Sequence, residues 1–428
     1  MGTDAGWSGS GALALVLLAA VGCSAPRATD VGPGTTIVSA PIVSVGVEDE
    51  VRAVAVGPGS VVAFGGATAG QLTVDAPNGD LDAFVVLLEA DGGERWRAQF
   101  GGAGEDAVTD LVVRDDGVVV AVGLTTEAWP ALPDAIVVAF DGTTGATLWT
   151  HVVATPERDV AVAVVVDGEG RAYVAGTTRG SIAPFVSAGF DDVYVARFTP
   201  AGVLDAFVQF GGTGFDRAYD LALLPGGDVV LVGETGDVVP GAGPAFLGPA
   251  FAVRFAADLA ASPVWVVQGG GTDGINLDLV ALAVDPGGDL IAAGFTTGQV
   301  GPDPKQGDYD LVLARIAATD GTLSFVRQVG GANAHFGSSL AVDAAGRAWV
   351  GGTVFTFDPV EDTSEATLWV FGQDDALLLS EVVPVGTHGG ANAIALAGDR
   401  EVWLGGWAAA AMPGARSGWD GFLVRRRH

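Results

Sequence analysis

Asp49, Asp106, Asp159 and Asp216 each stand seventeen residues before a glycine that closes an apolar run, namely Gly66, Gly123, Gly176 and Gly233. Carboxylates brought to the mouth of one channel by such phasing would offer hard oxygen ligands of the kind Ca²⁺ takes, or a well for a cationic group. At the same offset before Gly294, Gly352 and Gly406 stand Leu277, His335 and Gly389, so a ring of acids would be incomplete. The repetition favours a structural role, in which each Asp accepts bonds from its own Gly-rich loop, because one asymmetric site needs no repeated residue. Beyond these acids the chain carries no nucleophile-elbow Gly-x-Ser-x-Gly, no His-Glu-x-x-His and no phosphate-binding loop with Lys. His335 and His388 stand in Gly-rich segments with no ligand spacing around them. No catalytic residues are assigned.

The elements that must position the acids are set by the glycines. Seven phrases end an apolar run in Gly, usually with Thr two residues later, at Gly66, Gly123, Gly176, Gly233, Gly294, Gly352 and Gly406. Steps of 53 to 61 residues filled with Val-rich runs and Gly-rich turns predict an all-β, seven-bladed β-propeller of four-stranded antiparallel blades. The second repeat shows the strands as 107–113, 118–122, 135–140 and 147–153, with Asp115-Asp116-Gly117 as the first hairpin turn. The last repeat supplies only three strand-like runs, whereas a spare run, 36–45, precedes the first. That N-terminal run is expected to be the outermost strand of the last blade, closing the ring and leaving no edge open. Pro41 is compatible with an outermost strand, which needs donors on one side only.

The repeat unit, as in Gly211-Gly212-Thr213-Gly214-Phe215-Asp216 followed by a strand, a turn such as Asp343-Ala344-Ala345-Gly346, and Ala348-Trp349-Val350-Gly351-Gly352-Thr353, resembles the bacterial seven-bladed β-propeller (SBBP-type) repeat of exported proteins and lipoproteins. That family implies no single activity. Ala139-Phe140-Asp141-Gly142-Thr143-Thr144-Gly145-Ala146-Thr147-Leu148-Trp149 is similar to the tryptophan-docking motif of pyrroloquinoline-quinone propellers. The resemblance implies a packing role for Asp141, Thr144, Gly145 and Trp149, between neighbouring blades. The adjacent cysteines usual in quinoprotein dehydrogenases cannot exist here, since Cys23 is the only cysteine.

Cys23 follows the ten-residue apolar run 12–21 and the small residue Gly22, an arrangement that resembles a bacterial lipobox. The resulting expectation is a signal peptide over 1–22, lipidation at Cys23, a flexible Pro- and Gly-containing tether over 23–35 and the propeller over 36–428. The net charge of −31 and the single lysine, Lys305, argue against nucleic acid and leave the lipid as the membrane contact. Long, variable connections between second and third strands share one face and are expected to form the binding surface. Phe185, Phe246, Phe355, Phe357, Asp303, Asp308, Asp358, Glu361, Asp362 and Glu365 would line it. The sequence thus predicts an exported lipoprotein of the outer membrane or cell surface. Its propeller binds or scaffolds a protein or glycan partner, with no cofactor beyond a Ca²⁺ at the four Asp. The alternatives are a propeller enzyme acting on glycans or through a quinone, and a scaffold in outer-membrane assembly.

Overall fold

The structure, a computed structural model, describes residues 36–40, 49–74, 79–127, 131–242, 249–269, 276–357, 362–386, 388–398, 401–409 and 419–427. The expected signal peptide, Cys23 and the expected tether lie outside them. Among the described residues twenty-eight strands form seven blades of four. Blade 1 runs Asp49–Val56, Val62–Thr68, Asp82–Leu88 and Glu94–Phe100, and blade 2 runs Ala107–Val113, Val119–Thr125, Asp134–Phe140 and Thr147–Val153. The pattern repeats to blade 7, with strands His388–Leu396, Glu401–Ala409 and Trp419–Arg427. Its fourth strand is Thr36–Ala40, antiparallel to Trp419–Arg427 with Thr36 opposite Arg427. The N-terminal strand therefore closes a β-propeller. The expected continuation over 41–45 lies outside the described residues. Blades 6 and 7 are additionally linked by one parallel pairing, Ser364 with His388.

The first strand of every blade packs against the first strand of the next, blade 7 against blade 1 included, so these strands surround the axis. Second and third strands are buried on both faces, as in Val62–Thr68 and Asp82–Leu88, which explains their unbroken apolar character. The fourth strand, for example Thr147–Val153, alternates between exposed and partly buried residues. Seven apolar clusters fill the seven interfaces. Between the last and first blades, Trp403 and Leu423 meet Phe64, Phe84 and Val86.

The periodic glycine has a single steric cause. In all seven blades the first strand carries a β-bulge opposite it, with register shifts at 51/53, 108/110, 161/163, 218/220, 279/281, 337/339 and 391/393. The bulge turns a first-strand carbonyl toward the second strand. A Cβ on Gly66 would lie 1.8 Å from Glu50 O, on Gly123 1.9 Å from Ala107 O, and on Gly294 1.8 Å from Asp278 O. Gly176, Gly233, Gly352 and Gly406 meet the same obstacle at 1.9 to 2.3 Å.

Strands in the last two blades run longer than expected. Phe355 and Glu365 lie in Ala348–Thr356 and Thr363–Phe371, whose ladder continues to Thr356 opposite Thr363, rather than in a loop. Ala408 likewise lies within the strand Glu401–Ala409, and Trp419 begins the strand Trp419–Arg427.

Gly123→Ala should destabilise the propeller by about 3 kcal/mol, the cost of overpacking against fixed backbone. Gly226→Ala, whose new Cβ meets nothing within 4 Å, should stay within about 0.5 kcal/mol of wild type in denaturant unfolding.

Candidate functional site

The phased acids begin a row that crosses each blade at its loop face. In blade 1 the register aligns Asp49, Thr68 and Asp82, and in blade 3 Asp159, Thr178 and Asp192. The Thr at the end of the second strand is shared. Thr68 donates its hydroxyl to Asp49 and accepts from Gly70 N at 2.9 Å, and Thr178 accepts from Gly180 N at 3.1 Å. Three of the four cap the loop that enters their own blade: Asp106 accepts from Gly102 N (2.7 Å), Asp159 from Thr155 N (2.5 Å) and Asp216 from Gly212 N (2.6 Å). All four are buried and belong to four different blades, and among the described residues no three acid, His or Cys side chains converge as metal ligands. For Asp106, Asp159 and Asp216 the geometry is that of loop caps.

A second device was not anticipated. Gln99, Gln209 and Gln328 on fourth strands donate to the third-strand acids Asp82 (2.7 Å), Asp192 (2.7 Å) and Asp310 (2.8 Å) and to the carbonyls of Gly70, Gly180 and Gly298. Their amide oxygens accept from Leu72, Ile182 and Val300 N. These clamps fix the start of each second-to-third-strand loop. Their signal is a Gln two residues before a Gly-Gly pair, as in Gln99-Phe100-Gly101-Gly102.

Between blades 3 and 4 the row becomes cationic. A cavity of about 390 Å³ is lined by Arg158, Arg179 and Arg217, with Asp191, Thr177, Tyr219 and the apolar floor of Val160, Val162 and Ala218. Arg158 and Arg179 face each other across the ends of the first two strands of blade 3, where Arg179 N donates to Arg158 O at 2.9 Å. Two like charges in cross-strand apposition are unfavourable by themselves. Asp191, buried beneath them, is approached by Arg179 at 3.0 Å and Arg217 at 3.6 Å, while both guanidiniums remain about half exposed. Arg158 makes no ion pair among the described residues. Arg217 also pairs with Glu234 at 2.9 Å and lies over the Phe215 ring. Lys and Arg number only 20 in a chain of net charge −31, so three guanidiniums around one cavity are a local concentration of positive charge.

Burial raises three carboxyls on the first strands. Burial, followed by the charge and hydrogen bonding of Glu234, pushes Asp278 up to about 7. Tyr219, the residue bulged out of blade 4, is raised above the usual phenol value by burial and by the Asp278 and Glu234 charges. Deeper along the first strands, Asp110 accepts from Leu111 N and from Val164 N of the next blade, and Asp220 from Leu221 N and Leu282 N. Burial raises Asp110 to about 7, and burial with the Asp110 charge raises Asp220 to about 8.

The remaining expected residues are dispersed. Asp141 accepts from Thr143 N, Thr144 N and the Thr144 hydroxyl, closing its turn. Gly145, at φ 73°, receives the indole of Trp96 from the preceding blade, whereas Trp149 docks on Gly202 of the following one and donates to Pro200 O at 3.2 Å. The motif thus serves two interfaces. Trp96 bonded to Gly142 O and Trp265 bonded to Ala318 O repeat the device. Phe185 packs against Phe207, Asp303 pairs with Arg327, and Phe355 joins an aromatic cluster with Phe336. Phe357, Asp308, Asp362 and Glu365 are exposed. Phe246, Asp358 and Glu361 lie outside the described residues.

No protein-family model and no curated protein matches the sequence. Solved structures match in shape. A polysaccharide lyase of family PL25, ulvan lyase, superposes with a TM-score of 0.54 at 10% identity, covering 89% of this chain and 94% of that one. Its complex with -[GlcA(1-4)Rha3S]- gives 0.53 at 9% identity over 91% and 96%. The β-propeller domain of the Trilobed protease from Pyrococcus furiosus, with an open velcro topology, gives 0.51 at 7% identity over 89% and 94%. At these identities the likeness is one of fold.

The raised acids set the pH response. A carboxyl whose folded value exceeds its ordinary 3.8 keeps its proton longer in the fold than in the unfolded chain, so stability is present at low pH and lost as pH climbs through the folded value. For Asp110, Asp220 and Asp278 that loss falls between about pH 4 and pH 8. The melting temperature should fall across this window, and Asp110→Asn with Asp220→Asn should flatten the fall. An unchanged slope in the double variant would contradict the assignment.

Proposed function

We propose that the protein is a binding module, held to the cell envelope through a lipid on Cys23, whose channel mouth between blades 3 and 4 takes the acidic group of a glycan. The observation that carries this reading is the convergence of Arg158, Arg179 and Arg217 on one cavity whose lining includes a single carboxylate, Asp191. A planar uronate carboxylate or a sulfate matches the fork of a guanidinium, and forked charge-assisted pairs are the strong and directional ones. Asp191 orients two of the arginines and leaves their outer faces available. Val160, Val162 and Ala218 provide an apolar floor for the C–H face of a sugar ring. The site is built on strand ends fixed by caps and clamps, which limits the ordering cost of binding. The repeat resembles that of exported propeller lipoproteins, and a polysaccharide lyase of the same fold is seen with a chain bearing glucuronate and sulfated rhamnose.

A second reading is favoured by one arrangement. Tyr219 and Arg217 line the cavity, and behind them Glu234 pairs with Arg217 while Asp278, beside Glu234, is raised to about 7 by burial; a raised carboxyl next to a second acid is also the arrangement of an acid–base site. Shortening of an oligouronate on prolonged incubation would move the assignment from binding module to glycan-acting enzyme.

Calorimetric titration with an oligogalacturonate, and with a neutral oligosaccharide of equal length, tests the primary reading. Arg179→Ala and Arg217→Ala should each weaken oligouronate binding about tenfold or more, since a hydrogen bond to a charged group is worth about 1.5–3 kcal/mol. Added salt should weaken the wild type more than either variant. Equal affinity for the neutral chain would refute an anion site.

A further inference from the structure

We infer a second ligand site, for an uncharged hexopyranose ring, at the seam where blade 7 meets blade 1. A cavity of about 280 Å³ opens there, lined by Trp407, Trp419, Asp49, Glu50, Arg52, Ala67 and Leu81. Its volume falls just below the range of drug-sized ligand pockets, which starts at about 300 Å³, and so suits one or two rings rather than an extended chain.

The two indoles form its wall. Trp407 on the second strand of blade 7 lies opposite Gly390 on the first strand and Gly421 on the third, and Trp419 lies opposite Ala409. The small partners make room: a Cβ on Gly390 would approach Trp407 Nε1 to 2.8 Å. The ring centroids are 4.3 Å apart with planes at 65°, and Trp419 is 50% exposed. The apolar interblade cluster of this seam does not include either indole, whereas Trp403 of the same strand as Trp407 is buried within it. A half-exposed indole edge-packed on a second one at the rim of a cavity is a platform for a C–H face, whose weakly positive hydrogens meet the negative face of the ring.

The polar side of the cavity complements hydroxyl groups. Arg52 Nε donates to Glu50 Oε2 at 2.8 Å, and Asn392 of blade 7 donates to Glu50 Oε1 at 2.7 Å. A planar carboxylate and guanidinium held side by side present acceptors and donors at the spacing of vicinal hydroxyls. Asp49 and Glu50 disfavour an acidic sugar, and Arg52 disfavours a cation that would otherwise suit two indoles and two acids. The neutral ring is the ligand that all seven lining residues accept. This site is independent of the arginine cavity: it lies in a different interface and selects the opposite property, absence of charge.

Isothermal titration and saturation-transfer NMR on the intact protein, with maltotriose, cellotriose and mannotriose as probes and choline and oligogalacturonate as competitors, decide the matter. At least one neutral trisaccharide should bind saturably, and neither competitor should displace it. Trp419→Ala should weaken it on the order of tenfold, Trp419→Tyr should retain part of the affinity, and Phe190→Ala, which removes an exposed aromatic elsewhere, should leave it unchanged. Melting curves of the Trp419 variants matching wild type separate lost contact from lost fold, and Arg52→Ala supplies a second variant should they differ. The inference is overturned if none of the three trisaccharides binds, if Trp419→Ala binds like wild type, or if choline displaces the sugar.

Discussion

The β-bulge on the first strand of each blade is the constraint from which most of the structure follows. One extra residue per blade turns a carbonyl into the space above the second strand, so that only glycine fits there. The same irregularity leaves first-strand N–H groups free to bond outside their own sheet. Asp110 takes that of Val164, and Asp220 that of Leu282, each from the next blade. Blade-to-blade attachment is therefore polar near the axis and apolar farther out, where the seven clusters lie. The bulge also sends Arg52, Thr109, Tyr219 and Asn392 out of the ladder, and two of these bind the neighbouring blade directly: Thr109 donates to Ala161 O at 2.8 Å, and Asn392 to Glu50.

Ring closure concentrates consequences at one seam. The chain's two ends share a blade, since Thr36–Ala40 completes the sheet that ends with Trp419–Arg427. No disulfide can reinforce this arrangement in a chain with one cysteine, so closure of blade 7 depends on one backbone ladder, and its contact with blade 1 on the Trp403, Leu423, Phe64 and Phe84 cluster and the bonds from Asn392 to Glu50 and Val51 O. At three other interfaces a Trp docks on the next blade, Trp96 on Gly145, Trp149 on Gly202 and Trp265 on Gly321. At the seam Trp407 and Trp419 stand outside the interblade cluster and line a cavity instead.

Much of this was legible in the sequence, and the rest was hidden for definite reasons. The glycine period gave the blade count because the bulge repeats without exception, although the bulge itself has no residue signature that distinguishes Arg52 from Thr109 or Asn392. Strands 107–113 and 147–153 matched because a tight turn bounds each on one side and a Gly- or Pro-containing loop between blades on the other. Strands 348–356 and 363–371 outran expectation because a ladder of Thr, Val and Phe continues past the landmark glycine with no turn residue to stop it. The repetition of the phased acids pointed to a structural role, and Asp106, Asp159 and Asp216 do bond their own loops. The arginine cavity could not, because Arg158, Arg179 and Arg217 come from two blades and three strand ends, and their convergence depends on the twist of one blade against the next. Each nevertheless adjoins the Asp-Thr-Asp row, next to Asp159, Thr178 and Asp216.

The central functional claim is that a strongly acidic propeller concentrates positive charge at one channel mouth to receive an anionic sugar. A crystal structure of the protein with a bound oligogalacturonate tests it most directly. The account predicts a uronate carboxylate within hydrogen-bonding distance of the Arg179 and Arg217 guanidiniums, with Arg158 closing on its third side. An oligogalacturonate seated on another face, with Arg179 still bonded only to Asp191 and Arg217 only to Asp191 and Glu234, would contradict it.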